Sequence, residues 1–537
     1  MNWGVIGPLM QKNNYQAIYN WPDAMANAFF IDKFADAWKF QQYEPLNATI
    51  SDIVHPRSLN IINHNFVPAG FLGFLILYGL LAKIIGHNLI LYLTPLTACV
   101  GVVIFYLFVK ELINKRAALI SSALLALFAP YIFFANQTML ATIPFLVLAL
   151  SGFLLIIRYG GKPLQRNSML ALAGSGLLIS GAMCMRYQES IWLIMCLLII
   201  WFVQFKKIEI KKILVFFAGL IIPIIVILIY NKLTYDAFFT VGYLRMNNIE
   251  ADIAQRLPAE INVNAPNNFI SYLKLIFLPF GFSLRNIYHN VLRYIWLPYS
   301  PYIVLCAIGG LIWSTKFTKI VLKQKIFALC VAVSSGFLII YYGSWIFVDP
   351  MVLQNNVISS SYTRYWLPIF VMIIPLLGYL FDAMLSKAIK RICTRTLLVY
   401  ITMILLVFIS ITRAFTAPND GLVAEANATQ TYYERAIAVR KLIEPNALVV
   451  VEREDKLFFP TYKTITFEHD YSIFSEINRI TNEIPVYYFC LNNDNDIKFI
   501  NDNKLKPYKL FWNKVTEIDS NFRLYKLHSI NESGLQN

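Results

Sequence analysis

The groups able to do chemistry in this chain gather ahead of its long apolar runs. Asp23 follows Trp21-Pro22 and opens a stretch of helical spacing to Phe40. His55-Pro56-Arg57 and Asn63-His64-Asn65 come next, ahead of Phe66-Val67-Pro68-Ala69-Gly70-Phe71. A carboxylate at a water boundary can take a proton from a hydroxyl, and cations beside it can hold an anion. Two more cations, Arg186 beside Tyr187 and Glu189 and Arg364 beside Tyr365, stand at the ends of apolar runs. Each has a plainer reading. Asp23 can be a helix N-cap, the histidines ordinary interfacial side chains, and the arginines snorkelling residues. Asp32 and Asp36, four apart with Lys33 and Lys39 as neighbours, read as a solvated helix face.

What must position these groups is a membrane domain. The 537 residues are 58% hydrophobic, 15% aromatic and 14% charged, more apolar surface than one soluble core needs. Runs long enough to cross ~30 Å of hydrocarbon fall at 88–109, 117–135, 140–157, 168–184, 190–205, 213–230, 299–315, 326–347, 366–385 and 396–413. The formal charge of +15 is topological rather than a nucleic-acid footprint, because Lys and Arg concentrate in alternate connections, such as Lys206, Lys207, Lys211 and Lys212. By the positive-inside rule those connections are cytoplasmic, which puts Asp23, Arg186 and Arg364 together on the outer side. The spans hold almost no ionisable residue beyond Asp382, unlike the charged interiors of ion-coupled transporters. Cys490 alone falls outside, so no disulfide framework is expected. The sequons at Asn47, Asn136, Asn427 and Asn531 all land on the outer side.

Three regions follow: an extracytoplasmic first loop at 1–65, a membrane domain at 66–415, and a soluble extracytoplasmic domain at 416–537. Phe66 to Gly86 is expected as a helix lying on the outer leaflet with Lys83 snorkelling. If it crossed instead, every basic cluster would move outside, so a first transmembrane helix is expected upstream of the sequence. The stretch Asn268 to Leu284 reads as an interfacial helix, and Tyr288, Tyr294, Trp296 and Tyr299 as an interfacial belt. Beyond Arg413 a small α/β domain is expected, with a helix over 429–444 and strands at 447–451, 464–467, 486–491 and 522–527. It contains no phosphate loop, metal quartet or nucleophile elbow.

Over residues 15–415 the chain resembles the glycosyltransferases of the GT-C fold that use polyprenyl- or dolichyl-phosphate sugars, the superfamily of protein mannosyltransferases and aminoarabinose transferases. Trp21-Pro22-Asp23-Ala24 is similar to the Pro-Asp-Glu type motif that opens their juxtamembrane helix. Val67-Pro68 through Ile85-Gly86, Asn114-Lys115-Arg116-Ala117-Ala118-Leu119, Ala129-Pro130-Tyr131 and Arg364-Tyr365-Trp366-Leu367-Pro368 follow in the family's order. The resemblance implies a polytopic helical membrane protein of about 10 to 12 spans with active site outside, in the plasma membrane or, in a eukaryote, the endoplasmic reticulum. It implies transfer of a hexosyl or pentosyl group, with inversion, to a hydroxyl of a glycan, lipid or protein. Asp23 would be the general base, and His55, Arg57, His64, Arg186, Arg364 and Tyr365 the substrate-binding set, since a lipid phosphate leaves on positive charge rather than on a proton donor. No cofactor and no nucleic acid are implied. Where some members carry a second acid, this chain has Ala141-Thr142-Ile143-Pro144-Phe145, which argues against a two-carboxylate metal site. Val67 stands where lipid A transferases have Lys, so lipid A specificity is not expected. The alternatives are a transporter of lipid-linked glycans or lipids, with pseudo-symmetric halves and a midplane site, and an inactive homologue acting as an assembly partner.

Overall fold

Pro22 lacks the N–H that a first helical turn leaves unbonded, and it opens α1 (Pro22–Ala37). The computed structural model of the protein describes residues 17–204, 209–242, 274, 277–315, 321–346, 357–388, 394–417 and 419–530. After α1 come three short antiparallel strands, β1 (Gln42–Tyr43), β2 (Leu59–Ile62) and β3 (Asn65–Pro68), in the order β1-β3-β2. Asn63 and His64 both take positive φ, 50° and 63°, as a two-residue hairpin turn requires. This sheet corrects the expectation that helix begins at Phe66: the first residues of that stretch pair as β3, and α2 (Leu72–Ile85) starts later. At 14 residues α2 is about 21 Å long, less than the hydrocarbon thickness. It buries Leu75, Tyr78 and Gly79, and at Gly79 an added Cβ would meet the Phe34 ring of α1 at 2.5 Å.

The membrane domain runs through α3 (Leu93–Leu112), α4 (Lys115–Ala126), α5 (Ala129–Asn136), α6 (Thr142–Tyr159), α7 (Arg166–Met185), α8 (Ser190–Gln204) and α9 (Ile210–Tyr235). It continues with α10 (Leu284–Val291), α11 (Leu297–Ser314), α12 (Leu322–Gly343), α13 (Leu367–Ala388) and α14 (Thr394–Thr416). Among the described residues nine helices are long and apolar enough to cross a membrane, ten if α4 and α5, bent by 56° at their break, form one span. The bend falls at Phe128-Ala129-Pro130, where proline removes a helix hydrogen bond. These elements follow the apolar runs of the sequence closely. The chain is an integral, multi-pass membrane protein. Residues 268–273, 275 and 276 of the 268–284 stretch, together with Cys393 and Asn531, lie outside the described residues.

The C-terminal domain packs α15 (Leu422–Arg440) on a sheet of β4 (Leu448–Val451), β5 (Lys463–Thr466), β6 (Val486–Cys490), β7 (Leu510–Glu517) and β8 (Arg523–Ser529). The order is β5-β4-β6-β8-β7, parallel across the first three strands and antiparallel beyond. β4 is buried along its whole length, as a central parallel strand covered on both faces should be. Val449, Val451 and Phe489 meet Tyr433, Ala436 and Val439 of α15, while Val450 and Tyr488 face the opposite way.

This domain and the first loop form one body. Thr466 N–H donates to the His55 carbonyl at 3.1 Å. Lys463 meets Glu44 at 2.9 Å, Ser51 donates to Glu476 at 3.0 Å, and Phe459 packs edge-on to Phe29 and Phe66. The turns at one end of the spans join the same body: Asn27 donates to the Met139 carbonyl, Tyr235 to that of Pro68, and Asp420 holds residues 357–359. At the other end Arg158 pairs with Glu111 at 3.0 Å and Asn114 with Asp382 at 2.7 Å.

Candidate functional site

Trp21, extended, caps α1 with no side-chain capping bond, and the Asp23 carboxylate turns to tertiary partners instead. Its Oδ1 accepts from the Ser58 hydroxyl at 2.7 Å, and its Oδ2 faces Arg364 Nη2 at 3.5 Å. Ser58 holds φ at 62°, a conformation that a residue with a Cβ keeps only where its surroundings enforce it. Asp23 therefore does the work of a receptor for tertiary contacts rather than of a cap.

Arg364 comes from the short turn Ser361–Tyr365 that leads into α13. Its guanidinium lies 5.5 Å from the Trp21 ring centroid and 5.3 Å from that of Tyr365. Arg186, beyond the end of α7, lies 5.0 Å from the same Tyr365 ring, so one phenol links the two cations. Arg186 and Glu189 pair at 3.1 Å with side chains 4% and 0% exposed. Glu189 also accepts from Trp192 Nε1 at 2.6 Å and from the Tyr342 hydroxyl at 2.9 Å. Burial of a charge pair on this scale needs such added bonds to offset desolvation. Arg186 Nη1 remains buried with no partner, a donor whose desolvation is uncompensated and which an anionic oxygen would satisfy.

Of the residues singled out from the sequence, Asp23, Arg186, Arg364 and Tyr365 thus converge. Arg57 is engaged elsewhere: its backbone N–H, Nε and Nη2 all donate to Asp455, and Nη2 also to the Arg453 carbonyl. Burial works against its charge, but Asp455, Glu454 and Asp23 together outweigh burial and raise its pKa. Asp23 remains within electrostatic reach of it. His55 lies beneath the C-terminal domain, and burial draws its pKa below the ordinary histidine value. His64 sits at the hairpin tip, 2.8 Å from Asp52. The sequence alone gives Glu189 and Trp21 only as neighbours of Arg186 and Asp23, and does not single out Ser58 or Tyr342. For Glu189 the signal was available, an acid three residues beyond an arginine at a span end; for Ser58 there was none. Among the described residues no three His, Cys, Asp or Glu side chains gather as metal ligands.

Beneath this cluster an apolar cavity of about 980 Å³ runs between the spans. Trp192 and Pro368 line the end nearest Arg186 and Arg364, Leu146 and Phe327 its walls, and Lys212 and Lys323, from the basic connections, the far end. Such a space within a bilayer suits hydrocarbon rather than water.

No protein-family model matches the chain, and no curated protein is similar to it in sequence. Solved structures share its architecture. ArnT from Cupriavidus metallidurans bound to undecaprenyl phosphate superposes with a TM-score of 0.52 at 10% identity, over 95% of this chain and 94% of that one. The apo oligosaccharyltransferase of Archaeoglobus fulgidus superposes with a TM-score of 0.51 at 10% identity, over 88% of this chain and 66% of its own. The shared fold is the GT-C fold, and at this identity the likeness is one of fold.

Proposed function

We propose that the chain is a membrane glycosyltransferase that moves a sugar from a polyprenyl or dolichyl phosphate to an acceptor hydroxyl, on the extracytoplasmic side and with inversion. The observation that carries this reading is the convergence of one carboxylate, Asp23, on Arg364, which shares the Tyr365 ring with the buried Arg186. Asp23 takes the acceptor proton. The acceptor oxygen then bonds to the anomeric carbon as the bond from that carbon to the phosphate oxygen breaks on the opposite face. The lipid phosphate leaves with the electron pair, its charge received by Arg364 and the unpartnered Arg186 Nη1. Ser58 fixes the rotation of the carboxylate. Phosphate arriving at Arg364 competes with Asp23 for the guanidinium and so releases the base.

The cavity below suits the hydrocarbon chain of the carrier. Undecaprenyl phosphate, bound in the ArnT structure of like fold, belongs to the proposed class of carrier. Sidedness is supported by the basic connections lying at the end of the spans opposite to the site. The acceptor is a glycan, lipid or protein whose hydroxyl reaches Asp23. The test is transfer by purified protein from a panel of undecaprenyl- and dolichyl-phosphate monosaccharides. Asp23→Asn should abolish turnover while retaining undecaprenyl phosphate binding, and wild-type turnover in that variant removes Asp23 from the mechanism.

A further inference from the structure

We propose that Asp420, at the junction between the last span and the C-terminal domain, is a positioning residue that sets the place of Arg364; the proposal rests on the reading of Arg364 as a phosphate ligand. The segment ahead of Arg364 is Val357-Ile358-Ser359-Ser360, which has no strand or helix of its own to bond its backbone. Buried amides must nonetheless find acceptors. Asp420 supplies them: Oδ2 accepts from Val357 N at 2.9 Å and Ile358 N at 3.0 Å, and Oδ1 from Ser359 N at 2.9 Å and Ser359 Oγ at 2.7 Å.

Successive amides converging on one anion make an anion-binding nest, here filled by the protein's own carboxylate, which is only 3% exposed. The segment then passes its position on within a few residues. Ser360 Oγ accepts from Tyr362 N at 3.3 Å and caps the turn that carries Arg364, and Thr363 Oγ1 donates back to the Val357 carbonyl. Asp420 itself is fixed by its own N–H to Ala417 O at 3.2 Å. Its neighbour Gly421 passes so close to Phe415 that an added Cβ would lie 2.7 Å from the carbonyl oxygen. The last span, the domain junction and the Arg364 turn are therefore tied through one carboxylate. Asparagine there keeps the size but turns an –NH₂ toward amides that need an acceptor.

The experiment measures binding of undecaprenyl phosphate to the full chain in nanodiscs for wild type, Arg364→Ala, Asp420→Asn and the double variant, with melting temperature and amide exchange at 357–359 read alongside. Asp420→Asn should weaken binding about tenfold and speed exchange at 357–359. The double variant should bind no more weakly than Arg364→Ala alone, the non-additivity expected of one residue acting through another. Losses that simply add, or wild-type affinity in a folded Asp420→Asn with protected amides, overturn the proposal. Should that variant fail to fold, Ser359→Ala removes one of the four bonds and is judged by the same non-additivity with Arg364→Ala. Unchanged affinity in Arg364→Ala overturns the phosphate reading itself, and is told apart because exchange at 357–359 reports the hold of Asp420 without ligand.

Discussion

Arg186 and Glu189 bury opposite charges at the end of two spans, and each depends on the other for compensation. Glu189→Gln leaves one carbonyl oxygen where Trp192 and Tyr342 donate to two, and it leaves the guanidinium without its counter-charge. Removing one partner of a buried pair costs on the order of 3 kcal/mol, far more than an exposed pair is worth. The variant should therefore melt several degrees below wild type in detergent; an unchanged melting temperature would show that the pair is solvated in the membrane. Asp23 and Arg364 differ in kind. They remain partly exposed at 23% and 16%, so their contact can exchange for substrate at modest cost, as the role of base proposed for Asp23 requires.

Helix α1 delivers Asp23, so whatever seats the helix seats the carboxylate. At its far end Asp32 and Asp36 both reach His87, at 2.6 and 3.2 Å. The acidic face stays solvated, the two side chains being 50% and 67% exposed, and the i, i+4 spacing that makes a surface pair also lets one imidazole bridge both. Lys83 donates to the Ala35 carbonyl at 2.9 Å and lies 5.1 Å from the Trp38 ring, so it ties α2 to α1. Between these ends Gly79 admits Phe34, and a larger side chain has nowhere to go. Gly79→Leu should cost about 1–3 kcal/mol by overpacking. It should also lower transfer more than undecaprenyl phosphate binding, because it moves Asp23, the proposed base, and not the arginines. Equal losses in both measurements would mean that α1 does not seat Asp23 separately.

At the scale of the molecule the C-terminal domain leans on the segment just ahead of Asp23. Glu425 of α15 accepts from Asn20, Lys456 donates to the Asn20 carbonyl at 2.9 Å, and Tyr433 accepts from Ile18 N at 2.8 Å. Burial pushes the Glu425 carboxyl up to about 7 and Asp420 adds to this, against the opposing influences of Asn20, Lys456 and Gln137. A carboxyl raised above its unfolded value of 4.5 gives the folded state more bound proton. Its contribution is complete below that value and is lost as pH rises through about 7. The melting temperature should fall between about pH 4.5 and pH 7 and level off above that, with on the order of 3 kcal/mol at stake, and Glu425→Gln should flatten the fall. A variant that keeps the wild-type slope would assign the pH dependence to another group.

The sequence by itself determined the spans, since lipid demands long unbroken apolar helices and little else satisfies that demand. The basic connections likewise declared which ends belong together, and the three successive valines of Leu448–Val451 declared a buried strand. Tertiary structure alone decided which charges meet. Arg57 and Arg364 look alike in sequence, yet one is held by Asp455 and the other faces Asp23. The Ser58 bond and the hold of Asp420 on residues 357–359 join positions 35 and about 60 residues apart. Periodicity reports which face an element buries, whereas a polar contact of a few ångströms depends on how separate elements dock, and nothing local to either partner encodes that.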